Sequence, residues 1–164
     1  MAFLNLQQVS YHYPGHAHVV QDVDWELARG KFHCLVGRSG CGKTTLLKLA
    51  AGLLQAHSGR VTLEGQQILK PGPNLGFVFQ SPTLLEWRSV LDNVLLPVSL
   101  QRKPMAADLA RADMLLALMG LSSYADRHPH ALSGGQQSRV ALARALVLSQ
   151  ALLLLDEPLP RWTL

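Results

Sequence analysis

Residues 37 to 44 read GRSGCGKT. They stand between a short apolar run, KFHCLVG (31–37), and a stretch with apolar residues at 46, 47, 49, 50, 53 and 54. A strand, a glycine-rich turn and a helix in that order fit the pattern G-x-x-x-x-G-K-[ST], which puts a lysine and a hydroxyl at the head of the helix. Glycines at 37, 40 and 42 let the backbone of the Gly37-Arg38-Ser39-Gly40-Cys41-Gly42 loop turn its N–H groups inward as an anion-binding nest. The helix starting near Lys43 adds the positive end of its dipole. Lys43 is then expected to reach the β- and γ-phosphates of a nucleoside triphosphate, with the Thr44 hydroxyl on Mg²⁺.

The rest of the chain supplies what such a loop needs. At 164 residues, 48% hydrophobic and 16% charged, it is a globular domain with its own core and not a disordered segment. No apolar run reaches the ~18 residues of a membrane span, and MAFLNLQQVS carries neither the charge nor the cleavage site of an export signal. Two cysteines, Cys34 and Cys41, are too few for a disulfide framework. Fifteen Lys and Arg against eleven Asp and Glu give +4. The charges are scattered rather than run together, so no nucleic-acid partner is expected.

FLNLQQV and VVQDVDWEL alternate apolar and polar residues and read as strands. KFHCLVG reads as a buried strand feeding the loop, 44–54 as a helix, and RVTLEG and LGFVFQ as further strands. Ser89 to Leu100, Pro104 to Met119 and Gln136 to Leu148 read as helices, and ALLLL (151–155) as a buried strand. The sum is an α/β domain with an inserted helical subdomain.

That last strand delivers Asp156 and Glu157. Asp156 suits a residue holding Mg²⁺ through water beside a phosphate loop, and Glu157 suits the base that orients or deprotonates attacking water. LSGGQ (132–136) opens a second helix at Ser133, another N-terminus able to meet a phosphate.

Phosphate loop, LSGGQ and apolar strand with Asp-Glu, in that order, resemble the ATPase domains of ABC transporters over residues 3 to 158. The resemblance implies a P-loop NTPase (RecA-like) core with antiparallel N-terminal strands. The α/β core is expected at 1–80 and 137–158, and the helical subdomain at 81–136. It also implies ATP and Mg²⁺ as cofactors. Tyr13 is similar to the aromatic that stacks on adenine, with Tyr11 the competing choice. Thr45 joins the phosphate-loop set. Gln80 resembles the glutamine that touches Mg²⁺ and attacking water while contacting the permease, which adds it to Thr44 and Asp156 as a metal residue and to Glu157 as a catalytic one. In this family two domains pair head to tail, so that Ser133, Gly134, Gly135 and Gln136 of one copy close over the ATP of the other.

LGFVFQSPTLLEWRSVLDNVLLPV (75–98) is further similar to the ATPases of nitrate, sulfonate, taurine and thiamine-precursor importers, with Glu86 where those usually carry proline. This implies a transmembrane permease partner, a solute-binding protein acting indirectly, and a peripheral place on the cytoplasmic membrane face. Leu84, Leu85 and Trp87 are expected either to form an apolar docking patch or to belong to the helical core. After Pro158 the family continues with an Ala-Leu-Asp loop and a switch histidine. Here the chain runs LPRWTL, and all seven histidines lie upstream of Glu157. Codons CCG CGC TGG ACG CTG for Pro160 to Leu164, shifted one base with a G restored ahead of them, read Ala-Ala-Leu-Asp-Ala, as expected if a one-base deletion has truncated the gene. The tail at 159–164 is therefore read as frameshifted, or else as a naturally short end, and the domain as incomplete. The rival functions are a nucleotide-binding fragment with little turnover and an ABC-type ATPase working outside transport.

Overall fold

The computed structural model describes residues 2–15 and 18–157; the tail at 159–164 lies outside them. The chain forms two compact units, Met1–Pro73 and Asn74–Leu164.

In the first unit, β1 (Leu4–His12) pairs antiparallel with β2 (His18–Leu27) on one side and with β3 (Ser58–Leu63) on the other. A two-residue strand, β4 (Gln66–Gln67), closes the order β2-β1-β3-β4. The β3–β4 turn is Glu64-Gly65, both left-handed at φ 52° and 79°, the geometry that matches strand twist in a tight hairpin. Alternation puts Leu4 and Leu6 on a buried face, and Val9, beyond the register shift that follows Leu6, is fully buried as well.

Helix α1 (Lys43–Ala50) stops short of the expected Leu54. The apolar spacing continues, but Gly52 turns left-handed (φ 71°), and Leu53 N–H donates to Lys48 O at 2.9 Å while Gly52 N–H donates to Leu49 O at 3.0 Å. This glycine cap ends the helix. A side chain at Gly52 would also meet Ile68 and Lys70 within 2.9 Å.

The expected strand over 31–37 does not form. Residues 31–38 pair with no strand among the described residues, and Phe32 and Val36 stand 88% and 90% exposed. An apolar run of this length becomes a buried strand only where a sheet accepts it on its edges and faces, and pattern alone does not supply that sheet.

The second unit is built on α5 (Gly134–Leu146), whose inner face carries Val140, Ala141, Ala143 and Ala145. Around it lie α2 (Val90–Val94), α3 (Leu96–Ser99) and α4 (Ala106–Leu118), with a core of Val90, Val94, Val98, Leu116, Leu121 and Val140. The single helix expected over 89–100 is two, because Pro97 cannot donate to the ladder and begins a new turn. Helix α5 starts two residues before the expected Gln136. The Ser133 hydroxyl accepts from Gln136 N–H at 3.3 Å and the Gln136 side chain accepts from Ser133 N–H at 2.8 Å, a reciprocal cap that draws both glycines into the first turn. Its far end is sealed by Arg111, which donates to Val147 O at 2.8 Å and Leu146 O at 3.0 Å. Strands β5 (Leu75–Val78) and β6 (Leu152–Leu155) pair parallel, Leu75 with Leu152 through Val78 with Leu155.

Asn93 is fully buried and answers a loop that no ladder serves. It accepts from Leu85 N–H at 2.8 Å and donates to Leu85 O, Arg88 O and Ser89 O at 2.9–3.1 Å. Asn93→Ala should destabilise the unit by about 2–4 kcal/mol, since it leaves buried backbone groups without partners. Denaturant unfolding followed by circular dichroism measures this.

At the head of α4, Asp108 takes a two-pronged bond from Arg102 at 2.6 and 2.9 Å and accepts from Met105 N–H at 2.8 Å. The Arg102 bond, then the Met105 bond, lower its pKa from 3.8 to about 2. A lowered carboxylate pKa stabilises the fold above the unfolded value, and that contribution is lost as pH falls from 3.8 towards 2. The α4 N-terminus should therefore fray across this window. In Arg102→Gln an NMR titration should find the Asp108 midpoint moved up towards its ordinary value.

Candidate functional site

In the first unit the phosphate loop is a turn closed by Cys41 N–H on Arg38 O at 3.3 Å. Gly40 and Gly42 are left-handed, at φ 80° and 94°. A Cβ at Gly42 would lie 2.8 Å from Val19 O, and one at Gly37 would lie 2.7 Å from Cys41 Sγ, so the loop closes as tightly as it does only with glycine at those places. Gly42 is also the residue before α1. It offers no side-chain cap, and the first turn carries no acid. The positive end of the α1 dipole thus faces the loop with no side-chain cap and no acid of its own. Lys43 folds over the loop, its Nζ donating to Gly37 O and Arg38 O at 2.9 Å each, 3.9 Å from Cys41 Sγ. Arg38, Ser39, Gly40 and Cys41 are exposed, and Thr44 is half-buried in the first helical turn.

Thr45 is buried, with its hydroxyl 3.4 Å from that of Tyr13. Tyr13 is half-buried and meets Tyr11 edge-on at 5.1 Å. Tyr11 itself belongs to the core, beside His57, which stacks on His12 at 4.0 Å.

In the second unit, parallel pairing of β5 and β6 brings Gln80 and the Asp156-Glu157 pair to the same carboxyl-terminal sheet edge, the end where α/β sheets hold ligands. Gln80 Nε2 donates to Glu157 Oε2 at 3.0 Å. Asp156 is 6% exposed, with its N–H on Val78 O at 2.9 Å. Glu157 is exposed and left-handed at φ 48°, a backbone state that surroundings must hold for a non-glycine residue. The Ser133–Gln136 segment caps α5 as described. Ser133 and Gly134 face solvent, and a Cβ at Gly134 would meet nothing within 4 Å.

The expected patch divides. Leu84 packs against the helical core, whereas Trp87 is 75% exposed. Two residues that fix this region, Asn93 and Arg144, carry no motif. Their signal is a polar side chain on the inner face of an otherwise apolar helix, which sequence periodicity flags without naming a partner.

The donors fit the implied groups. Backbone amides, a lysine and an open helix N-terminus suit phosphate. The Thr44 hydroxyl of the first unit, and the Gln80 carboxamide oxygen and Asp156 carboxylate of the second, are each oxygen donors of the kind Mg²⁺ takes.

Residues 20–160 match the ABC transporter family. The taurine import ATP-binding protein of Pseudomonas entomophila is 43% identical over 159 residues, 96% of this chain and 61% of that protein. The aliphatic sulfonates import ATP-binding protein of Xanthomonas axonopodis pv. citri is 46% identical over 88% of this chain and 58% of its own length. For the nitrate import ATP-binding protein of Synechococcus elongatus, 44% identity extends over 85% and 52%. The chain thus spans about half to three-fifths of these relatives. Among solved structures, a dimeric post-hydrolysis ATP-binding cassette bound to ADP and phosphate superposes with a TM-score of 0.84 at 30% identity, covering 98% of this chain and 75% of that one. Phosphate loop, parallel-strand carboxylates and capped LSGGQ helix therefore sit in a P-loop NTPase fold, and the chain belongs to the ABC transporter ATP-binding family.

Proposed function

We propose that this chain binds MgATP and hydrolyses it as the ATP-binding part of an importer for a small solute of the nitrate, sulfonate, taurine or pyrimidine type. The observation that carries the reading is Lys43 poised over the glycine turn at the uncapped N-terminus of α1. Gly37, Arg38, Ser39, Gly40, Cys41 and Gly42 cradle the phosphates through their backbone. Lys43 meets the β- and γ-phosphates. Tyr13, rather than core-bound Tyr11, offers its ring to adenine, and Thr45 steadies it through the hydroxyl contact. Thr44, Gln80 and Asp156 would hold Mg²⁺, which neutralises charge on the phosphate oxygens. Glu157 orients the attacking water, with Gln80 at its side.

The α/β core comprises 1–80 and 137–158, with 81–136 as the helical subdomain. Two copies pair head to tail, so that Ser133, Gly134, Gly135 and Gln136 of one close on the nucleotide of the other. The solvent-facing start of α5 supports this pairing. A permease docks on the Gln80–Val94 surface, placing the chain on the cytoplasmic membrane face. The described residues hold no helix long and apolar enough to cross a membrane. The solute is chosen by the permease and by a solute-binding protein that this chain does not touch. The three relatives named as import ATP-binding proteins support these assignments.

Lys43→Ala should weaken MgATP binding by roughly ten- to a hundredfold, since a charge-assisted bond contributes about 1.5–3 kcal/mol. Calorimetric titration of both proteins measures it, and equal affinities would remove the phosphate-loop assignment.

Trp87→Ala should leave ATP affinity unchanged and reduce recovery of the chain with its permease. Co-purification from membranes measures this. Undiminished recovery would move docking elsewhere.

A further inference from the structure

Three places lie outside the motifs: the exposed Lys31–Arg38 segment, the His12–His57 stack, and the clamp between α5 and the loop after Gln80. The clamp supports an inference, which rests on the roles proposed above for Gln80 and Glu157.

We infer that Arg144 is the positioning residue for Gln80, clamping the loop that leaves it so that the Gln80 carboxamide meets Glu157. Arg144 lies on α5 between the buried Ala143 and Ala145. Its Nη1 donates to Thr83 O at 2.9 Å, and its Nη2 donates to Pro82 O at 2.8 Å and Thr83 Oγ1 at 3.1 Å. These three partners are neutral oxygens rather than a carboxylate. Burial lowers the Arg144 pKa, so the fold keeps a partly desolvated cation here and satisfies it with loop backbone. Thr83 is left-handed at φ 47°, a state a β-branched residue adopts only when its surroundings impose it. Pro82 has no N–H, so this stretch cannot join a strand ladder, and its carbonyl goes to the guanidinium instead.

The clamped carbonyl sits two residues from Gln80, whose Nε2 reaches Glu157 at 3.0 Å. Asn93 fixes the other end of the loop at Leu85, Arg88 and Ser89. Of these two anchors, the Arg144 bonds are the ones next to Gln80. The rigid fork is what allows one side chain to hold two successive carbonyls, and a lysine ammonium on a flexible stem does not reproduce it.

NMR of the ¹⁵N-labelled chain tests the clamp without relying on turnover. The Gln80 carboxamide signal is assigned by its loss in Gln80→Ala. In Arg144→Lys it should leave its wild-type position for the one it takes in Glu157→Ala; a signal that stays put overturns the inference. Should Arg144→Lys not fold, the wild-type guanidinium decides. A clamped fork gives resolved, slowly exchanging Nη protons, and a single averaged resonance overturns the clamp. Where turnover is measured, Arg144→Lys should lower kcat without changing KM for ATP. Gln80→Ala with Arg144→Lys should then be no slower than Gln80→Ala alone, and additive losses count against action through Gln80. A wild-type chain that fails to bind ATP refutes the proposed function, and the Gln80 signal then still decides for or against the clamp.

Discussion

Buried backbone has to be hydrogen-bonded, and a loop packed against a helical core has no ladder to do it. The Asn74–Leu164 unit meets this constraint with side chains, Asn93, Arg144 and Arg111 among them. Asn93 satisfies the stretch from Leu85 to Ser89, Arg144 the Pro82-Thr83 step, and Arg111 the carbonyls at the end of α5. Asn93 is fully buried and Arg144 half-buried, each costly to desolvate alone and stable only with its partners in place. The core of Val90, Val94, Val98 and Val140 can close because these groups answer the backbone that closing would otherwise strand.

In the Met1–Pro73 unit the corresponding demand is met in reverse. The α1 N-terminus has no side-chain cap, and Gly42 keeps the approach open. The contrast with α5, where Ser133 and Gln136 cap each other, separates two kinds of helix start. One brings neither a side-chain cap nor an acid to its positive end. The other caps itself internally and presents a hydroxyl and two glycines as a surface.

What the sequence made legible was local. Lys43, Asp156, Glu157 and LSGGQ lie at spacings whose chemistry is short-range, and the elements that carry them were recognisable from period and punctuation. The misses share a different cause. Gly52 stops α1 with a left-handed cap, and Ile68 and Lys70, distant in sequence, leave no room for a side chain there. Pro97 splits a helix whose apolar spacing runs straight through it. Arg144 holds carbonyls 61 and 62 residues away. The run at 31–37 has strand composition, yet a strand is a relation between segments and none pairs with it here. Local rules find the residues that carry motifs; the residues that hold their loops in place answer to tertiary neighbours.

The uncovered Lys31–Arg38 stretch has a consequence for the chain's fate rather than its chemistry. Phe32 and Val36 face solvent on an apolar stretch that pairs with no described strand and leads directly into the glycine turn. Such an unpaired stretch is a template for another chain's strand. Two destinies compete for this segment: cover by a proper neighbour, or addition to a like segment in a growing aggregate. Yield, shelf life and survival under cellular quality control then become properties of this eight-residue stretch, set by crowding and concentration more than by the stability of the two cores.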